Sequence, residues 1–268
     1  MNRIEQRFKT LARDRRKALI PYVMAGDPSL AETVPLMHAL VEAGADLIEL
    51  GVPFSDPMAD GPVIQAAGER ALAQGVSLQD VLGLLRRFRA DDTDTPVLLM
   101  GYLNPIEIMG YDTFADAAAS AGVDGVLTVD LPPEESDPLL NALDRVGLDA
   151  IFLTAPTTSE LRLKRIAEAA RGFIYYVSLK GVTGSDAIDT DGVERKLAKL
   201  RALTDLPLGV GFGIATPEAA AKVGAFADAV VVGSALVRRV GEFGGDPEHM
   251  RQEVCALLGN MRAALDAA

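Results

Sequence analysis

Eight short apolar runs, each followed by a longer amphipathic stretch, recur along this chain and leave few folds open to it. The runs are residues 18–23, 46–50, 96–100, 125–129, 150–153, 173–177, 208–210 and 229–232. They are apolar at consecutive rather than alternate positions, so both faces of each strand must be buried. The stretches between them carry helical spacing, as in Val34, Met37, His38 and Val41, or Leu139, Leu140, Leu143 and Val146. Strands separated by helices pair in parallel. Eight such units over about 250 residues match the length of a closed (β/α)₈ barrel. An open, doubly wound α/β sheet is the competing arrangement.

The barrel reading predicts one domain over residues 1–268. Ile4, Phe8 and Leu11 fall at helical spacing before the first strand, predicting an extra helix across the barrel floor. Two helical runs, 63–73 and 78–88, separate the second and third strands, and further helices are expected after the eighth.

A net charge of -12 and a pI near 4.7 argue against broad attraction to nucleic acid or anionic lipid. Cys255 is the only cysteine, so no internal disulfide is possible and a reducing cytoplasm is expected. No apolar run reaches the roughly 18 residues that a membrane span needs, and the charged N-terminus lacks a signal-peptide core. With only His38, His249 and Cys255 as soft ligands, no structural zinc site is expected. Both histidines and the cysteine read as structural residues.

Chemistry is expected at the C-terminal ends of the barrel strands, where loops converge. The stretch 47–62 (LIELGVPFSDPMADGP) launches carboxylates from such a strand: Glu49 between Ile48 and Leu50, then Asp56 and Asp60 in a proline-rich loop. Burying an unpaired carboxylate costs several kcal/mol, on the order quoted for uncompensated charge. Glu49 therefore either pairs with a core arginine or lysine or is held for proton transfer. No lysine or arginine lies between Leu36 and Glu69. A second loop, 178–191 (SLKGVTGSDAIDTD), has no strand or helix period and reads as a lid, with Gly181 and Gly184 for backbone freedom and Thr183 for a hydroxyl. The turns 211–215 and 232–236 are glycine-rich, and Gly233-Ser234 opens a helix whose positive end suits phosphate. Either Tyr175 or Tyr176 points into the barrel, since neighbours on a strand alternate.

The motifs PYVMAGDP at 21–28, ELGVPFSDPMADGP at 49–62, MGYLNP at 100–105, APTT at 155–158, YYVS at 175–178, GVTG at 181–184 and GFGI at 211–214 occur in this order along nearly the whole length. Together they resemble the α subunits of tryptophan synthase. The resemblance implies retro-aldol cleavage of indole-3-glycerol phosphate to indole and glyceraldehyde 3-phosphate, with no metal or organic cofactor in this chain. It implies Glu49 as the acid/base at indole C3 and Asp60 as acceptor of the indole N–H. It places Tyr22, Met100, Leu127 and Tyr175 around the indole pocket, Gly184, Gly213, Gly233 and Ser234 on the phosphate, and Thr183 in the lid against Asp60. Tyr22 stands where phenylalanine is usual, and Lys180 where a small residue is usual. It further implies a pyridoxal-phosphate β subunit in an αββα complex, with Asp56, Tyr102, Asn104 and Pro105 on the docking surface.

Overall fold

The computed structural model describes residues 2–177, 190–211 and 213–268, with only the backbone of residues 190 and 191. Eight parallel strands close into a barrel in sequence order: β1 (Ala18–Met24), β2 (Ile48–Gly51), β3 (Val97–Gly101), β4 (Gly125–Thr128), β5 (Asp149–Thr154), β6 (Ile174–Val177), β7 (Leu208–Gly211) and β8 (Ala229–Val232). Closure comes from β1 pairing with β8, Ala18 opposite Ala229 and Pro21 opposite Val232. The open sheet is thereby excluded. Every strand is covered inside and out, which is why the runs are apolar at consecutive positions.

Two apolar layers result. The inner one stacks Ile20, Leu47, Leu98, Leu127, Ile151, Tyr175 and Val231 within the barrel. Its floor is closed by helix α1 (Arg3–Arg13), whose Ile4, Phe8 and Leu11 belong to that same cluster. Phe8 meets the strand-end Phe173 at 5.7 Å between ring centroids. The outer layer joins the opposite strand faces to the surrounding helices.

Helix α2 (Leu30–Glu42) follows β1, and α3 (Pro62–Leu72) and α4 (Leu78–Arg89) both follow β2. After β3 come two helices where one was expected, α5 (Leu103–Met109) and α6 (Tyr111–Ala121), separated by Gly110 at φ 86. The seven-residue α5 is too short for its period to show in the sequence. Helices α7 (Asp137–Val146), α8 (Glu160–Ala169), α9 (Thr190–Arg201) and α10 (Pro217–Gly224) complete the next units, and α11 (Ser234–Phe243) and α12 (Pro247–Asp266) both follow β8. Among the described residues no helix is long and apolar enough to cross a membrane.

Candidate active site

The inner parity of the strands decides which side chains reach the barrel mouth. Leu47 faces the interior while Ile48 and Leu50 face the helices, so Glu49 points inward. By the same alternation Tyr175 faces inward and Tyr176 packs outward, which resolves the choice the sequence leaves open. Tyr22, Glu49, Met100, Leu153, Tyr175 and Val231, each from a different strand, line a cavity of about 380 Å³ at the C-terminal end of the barrel. The remaining wall comes from the loop carrying Asp60 and from the segments of Gly213, Ile214, Gly233, Ser234 and Ala235. That volume lies in the range of small-ligand sites, roughly 300–1,000 Å³. Larger grooves of about 530 and 480 Å³ lie beside the floor helix, the first lined largely by charged residues such as Arg7, Arg16 and Asp94, the second by Phe8, Leu11 and Pro207 among arginines and aspartates.

Glu49 is 2% exposed, and its Oε1 is buried with no hydrogen-bond partner. Among the described residues no arginine or lysine compensates it. Burial first, and the Asp60 charge second, push its carboxyl up to about 8. At neutral pH it is a protonated acid. Register places Tyr22 beside it on β1 and Leu98 beside it on β3. The phenols of Tyr22 and Tyr175 are both held well above the ordinary range, by burial foremost, so both stay neutral.

Asp60 sits differently. It is half-buried; burial raises its carboxyl, but a hydrogen bond from the Tyr102 hydroxyl to Oδ2, at 3.2 Å, opposes the rise. The same hydroxyl accepts the Ala59 N–H at 3.0 Å, and the Tyr102 ring stacks on Phe54 at 5.1 Å. Gln65 clasps the loop from α3 by donating to the Asp60 carbonyl at 2.8 Å. Tyr102 is itself only 5% exposed. Its side chain turns inward, with the hydroxyl engaged by the Asp60 loop. Asp56 and Asn104 are exposed, as a docking surface requires, and Pro105 is half-buried.

Leu127 is wholly buried in the inner layer, below Val129, which stands two residues further along the same face of β4 and lines the cavity. Val129, Leu153, Ile64, Ile214 and Arg238 reach the cavity without having been singled out. Inward parity on β4 and β5 would have found the first two.

At the phosphate-type turns, Gly213 has φ +79, a conformation that side chains rarely adopt. Helix α11 starts at Ser234 with Gly233 as N-cap and no side-chain capping bond, whereas α10 is capped by Thr216 donating no such freedom: its hydroxyl accepts the Ala219 N–H. The Leu236 N–H donates to the Gly233 carbonyl at 2.9 Å, which leaves the N–H groups of Ser234 and Ala235, both cavity-lining residues, as the open end of α11. The expected lid residues Thr183 and Gly184, and Lys180, lie outside the described residues, and Thr190 and Asp191 already belong to α9.

The comparisons agree with this geometry. The family model for the tryptophan synthase alpha chain matches residues 8–266. A tryptophan synthase alpha chain of Thioalkalivibrio sulfidiphilus is 65% identical over 99% of this chain and 100% of its own, and one of Nitrosococcus oceani is 59% identical over 100% and 98%. The crystal structure of tryptophan synthase subunit alpha from Legionella pneumophila superposes with a TM-score of 0.94 at 50% identity, covering all of both chains. A buried neutral glutamate and a tyrosine-held aspartate in one cavity at the mouth of a barrel, matched end to end by these relatives, establish that the chain belongs to the tryptophan synthase alpha chain family.

Proposed function

We propose that Glu49 and Asp60 divide the proton work of the lyase reaction this family catalyses, cleavage of indole-3-glycerol phosphate to indole and glyceraldehyde 3-phosphate. The observation that carries the assignment is the Glu49 carboxyl, inward, unpartnered at Oε1 and pushed up to about 8 in the cavity that also holds Asp60. The carbon–carbon bond cannot break while the indole ring is aromatic, because C3 would leave as an unstable carbanion. Neutral Glu49 donates its proton to C3. Ionised Asp60 accepts the indole N–H and stabilises the positive charge that develops on the ring nitrogen. Glu49, now a carboxylate, takes the proton of the hydroxyl on the attached carbon. The O–H electrons form the aldehyde C=O, the C–C pair returns to the ring, and Glu49 regains its starting state.

Met100, Leu153, Tyr175 and Val231 supply the apolar walls for the bicyclic ring, and Tyr22 stands beside Glu49. The open N-terminus of α11 with Gly233 and Ser234, together with Gly213, suits the phosphate. Thr183 and Gly184 complete that reading from the lid. The steps need no cofactor of this chain's own; pyridoxal phosphate belongs to the β subunit, to which indole passes. Docking in an αββα complex is favoured at the exposed Asp56 and Asn104 with Pro105, beside which Met58 and Ile108 are 85% and 80% exposed. The acidic chain with its lone cysteine suits the cytoplasm.

Indole release from indole-3-glycerol phosphate tests the roles. Glu49→Gln lowers kcat by about 10²-fold or more and Asp60→Asn by a similar order, the scale of a lost general acid or charge stabiliser. Turnover retained within tenfold by Glu49→Gln would sink the assignment.

A further inference from the structure

The substrate brings a phosphate dianion into a cavity that already holds two carboxyl groups, in a chain of net charge -12. The N–H groups of a helix N-terminus offer about half an elementary charge. Among the described residues a full positive charge is available from one place. Arg238 is the only lysine, arginine or histidine among the described residues that line the cavity. Its side chain is exposed, and among the described residues it makes no hydrogen bond or ion pair. Its neighbour Arg239 is engaged, donating to the Ala235 carbonyl at 3.0 Å.

Its place on α11 directs the charge. Arg238 lies four residues after Ser234, one turn along the same face of the helix. Long helical side chains lean back toward the N-terminus, over the preceding turn. The Arg238 guanidinium is therefore aimed at the open end of α11, where Ser234 and Ala235 present their N–H groups. Its planar fork suits two phosphate oxygens at once.

We propose that Arg238 is a specificity-determining residue that supplies the cationic charge for the substrate's phosphate and so selects phosphorylated over unphosphorylated indole-glycerol substrates. The proposal rests on the placement of the phosphate at α11. Because the phosphate is remote from the breaking bond, the contact is made equally in ground and transition states, and its loss falls on KM rather than kcat.

The test uses the complex with a β subunit, without serine, so that indole accumulates. Arg238→Gln should raise KM for indole-3-glycerol phosphate, and Ki for glycerol 3-phosphate as competitive probe, by about tenfold each, the order expected for one exposed charge-assisted contact. Arg238→Lys should recover part of both. Inhibition by indole propanol, which lacks the phosphate, should not move, and the rise of KM with salt should be shallower in Arg238→Gln than in the parent. Changes below twofold in both KM and Ki, or an equal loss for the phosphate-free inhibitor, would overturn the proposal. Ser234→Asp, which sets a negative charge at the open end of α11 where helices accept aspartate, separates the two readings: if it weakens glycerol 3-phosphate while Arg238→Gln does not, the phosphate lies at α11 and Arg238 is idle, whereas if neither matters the placement itself fails.

Discussion

Glu49 carries its function at a cost to the fold. Its folded carboxyl titrates near 8 against an ordinary 4.5, so the native state holds a proton that the unfolded chain releases. For a carboxyl raised in this way the penalty is absent below about 4.5, grows as pH rises, and is complete above about 8. Glu49→Gln removes it. Thermal melts should show Glu49→Gln more stable than the parent at pH 9, by on the order of a few kcal/mol, and nearly equal at pH 4; equal melting curves at both would contradict the buried, uncompensated carboxyl. Tyr102 poses the complementary case. Its hydroxyl, with the phenol pushed up to about 12, remains a donor that lowers the Asp60 carboxyl. Tyr102→Phe removes that bond and lets the carboxyl rise, so less Asp60 is ionised on the acid side. The acid limb of the kcat/KM profile should move to higher pH, with a loss of about threefold to tenfold near neutrality, the scale of one hydrogen bond to a charged group. A parallel loss at every pH would assign Tyr102 to packing alone.

Recurrent carboxylates staple the barrel at the level of its elements. Asp46, just before β2, accepts the Leu19 N–H of β1 at 2.9 Å; Asp124, before β4, accepts the Val97 N–H of β3 at 2.8 Å; Asp228, before β8, accepts the Leu208 N–H of β7 at 2.9 Å. Each is met by an arginine, Arg262, Arg89 and Arg201 respectively, at 2.8 to 3.0 Å. Asp149, at the start of β5, lacks such an ion pair: its Oδ2 is buried without a partner, and burial pushes its carboxyl up to about 6. Arg89 is the most connected of the three arginines, donating also to the carbonyls of Gly122, Asp92 and Thr95. Arg89→Ala removes one of the two cations on Asp124, the other being Arg3 at 2.8 Å, and urea denaturation should show a loss of about 2 kcal/mol, the scale of a hydrogen bond to a charged group. A loss below about 0.5 kcal/mol would mean that Arg3 alone satisfies Asp124. Little of this was legible in the sequence. An aspartate before an apolar run reads equally as a turn residue, and its arginine comes from an element as far away as the 216 residues between Asp46 and Arg262.

At the scale of the whole molecule, the barrel gathers its chemistry at one end, and the two most exposed large apolar side chains among the described residues lie nearby in sequence. Met58 follows Asp56 in the Asp60 loop, and Ile108 lies on α5, the helix that begins directly after Tyr102. Tyr102 thus links the surface proposed for the β subunit to the carboxylate proposed for the indole nitrogen. Ile108→Asp should leave the circular dichroism and melting of the isolated chain unchanged, because the residue is 80% exposed, while weakening association with a β subunit by about tenfold or more. Unaltered affinity in titration calorimetry would place the docking surface elsewhere.

The order of the strands and of every helix but α5, the floor helix, and the candidacy of Glu49, Asp60, Gly213, Gly233 and Ser234 were all determined by the sequence. These rest on local facts: apolar periodicity, proline and glycine placement, and carboxylates set in an apolar strand. Tertiary structure alone decided the rest. Closure of β1 on β8 turned eight similar strands into an interior with a top and a floor, and that depth put Val129 rather than Leu127 at the cavity wall. Parity around the closed ring chose Tyr175 over Tyr176, and convergence of β2 and β3 set the Tyr102 hydroxyl against Asp60. The physical reason is the same throughout. Periodicity tells which face of an element is buried, but the neighbours met there, and the charge they hold, depend on residues far away in the chain.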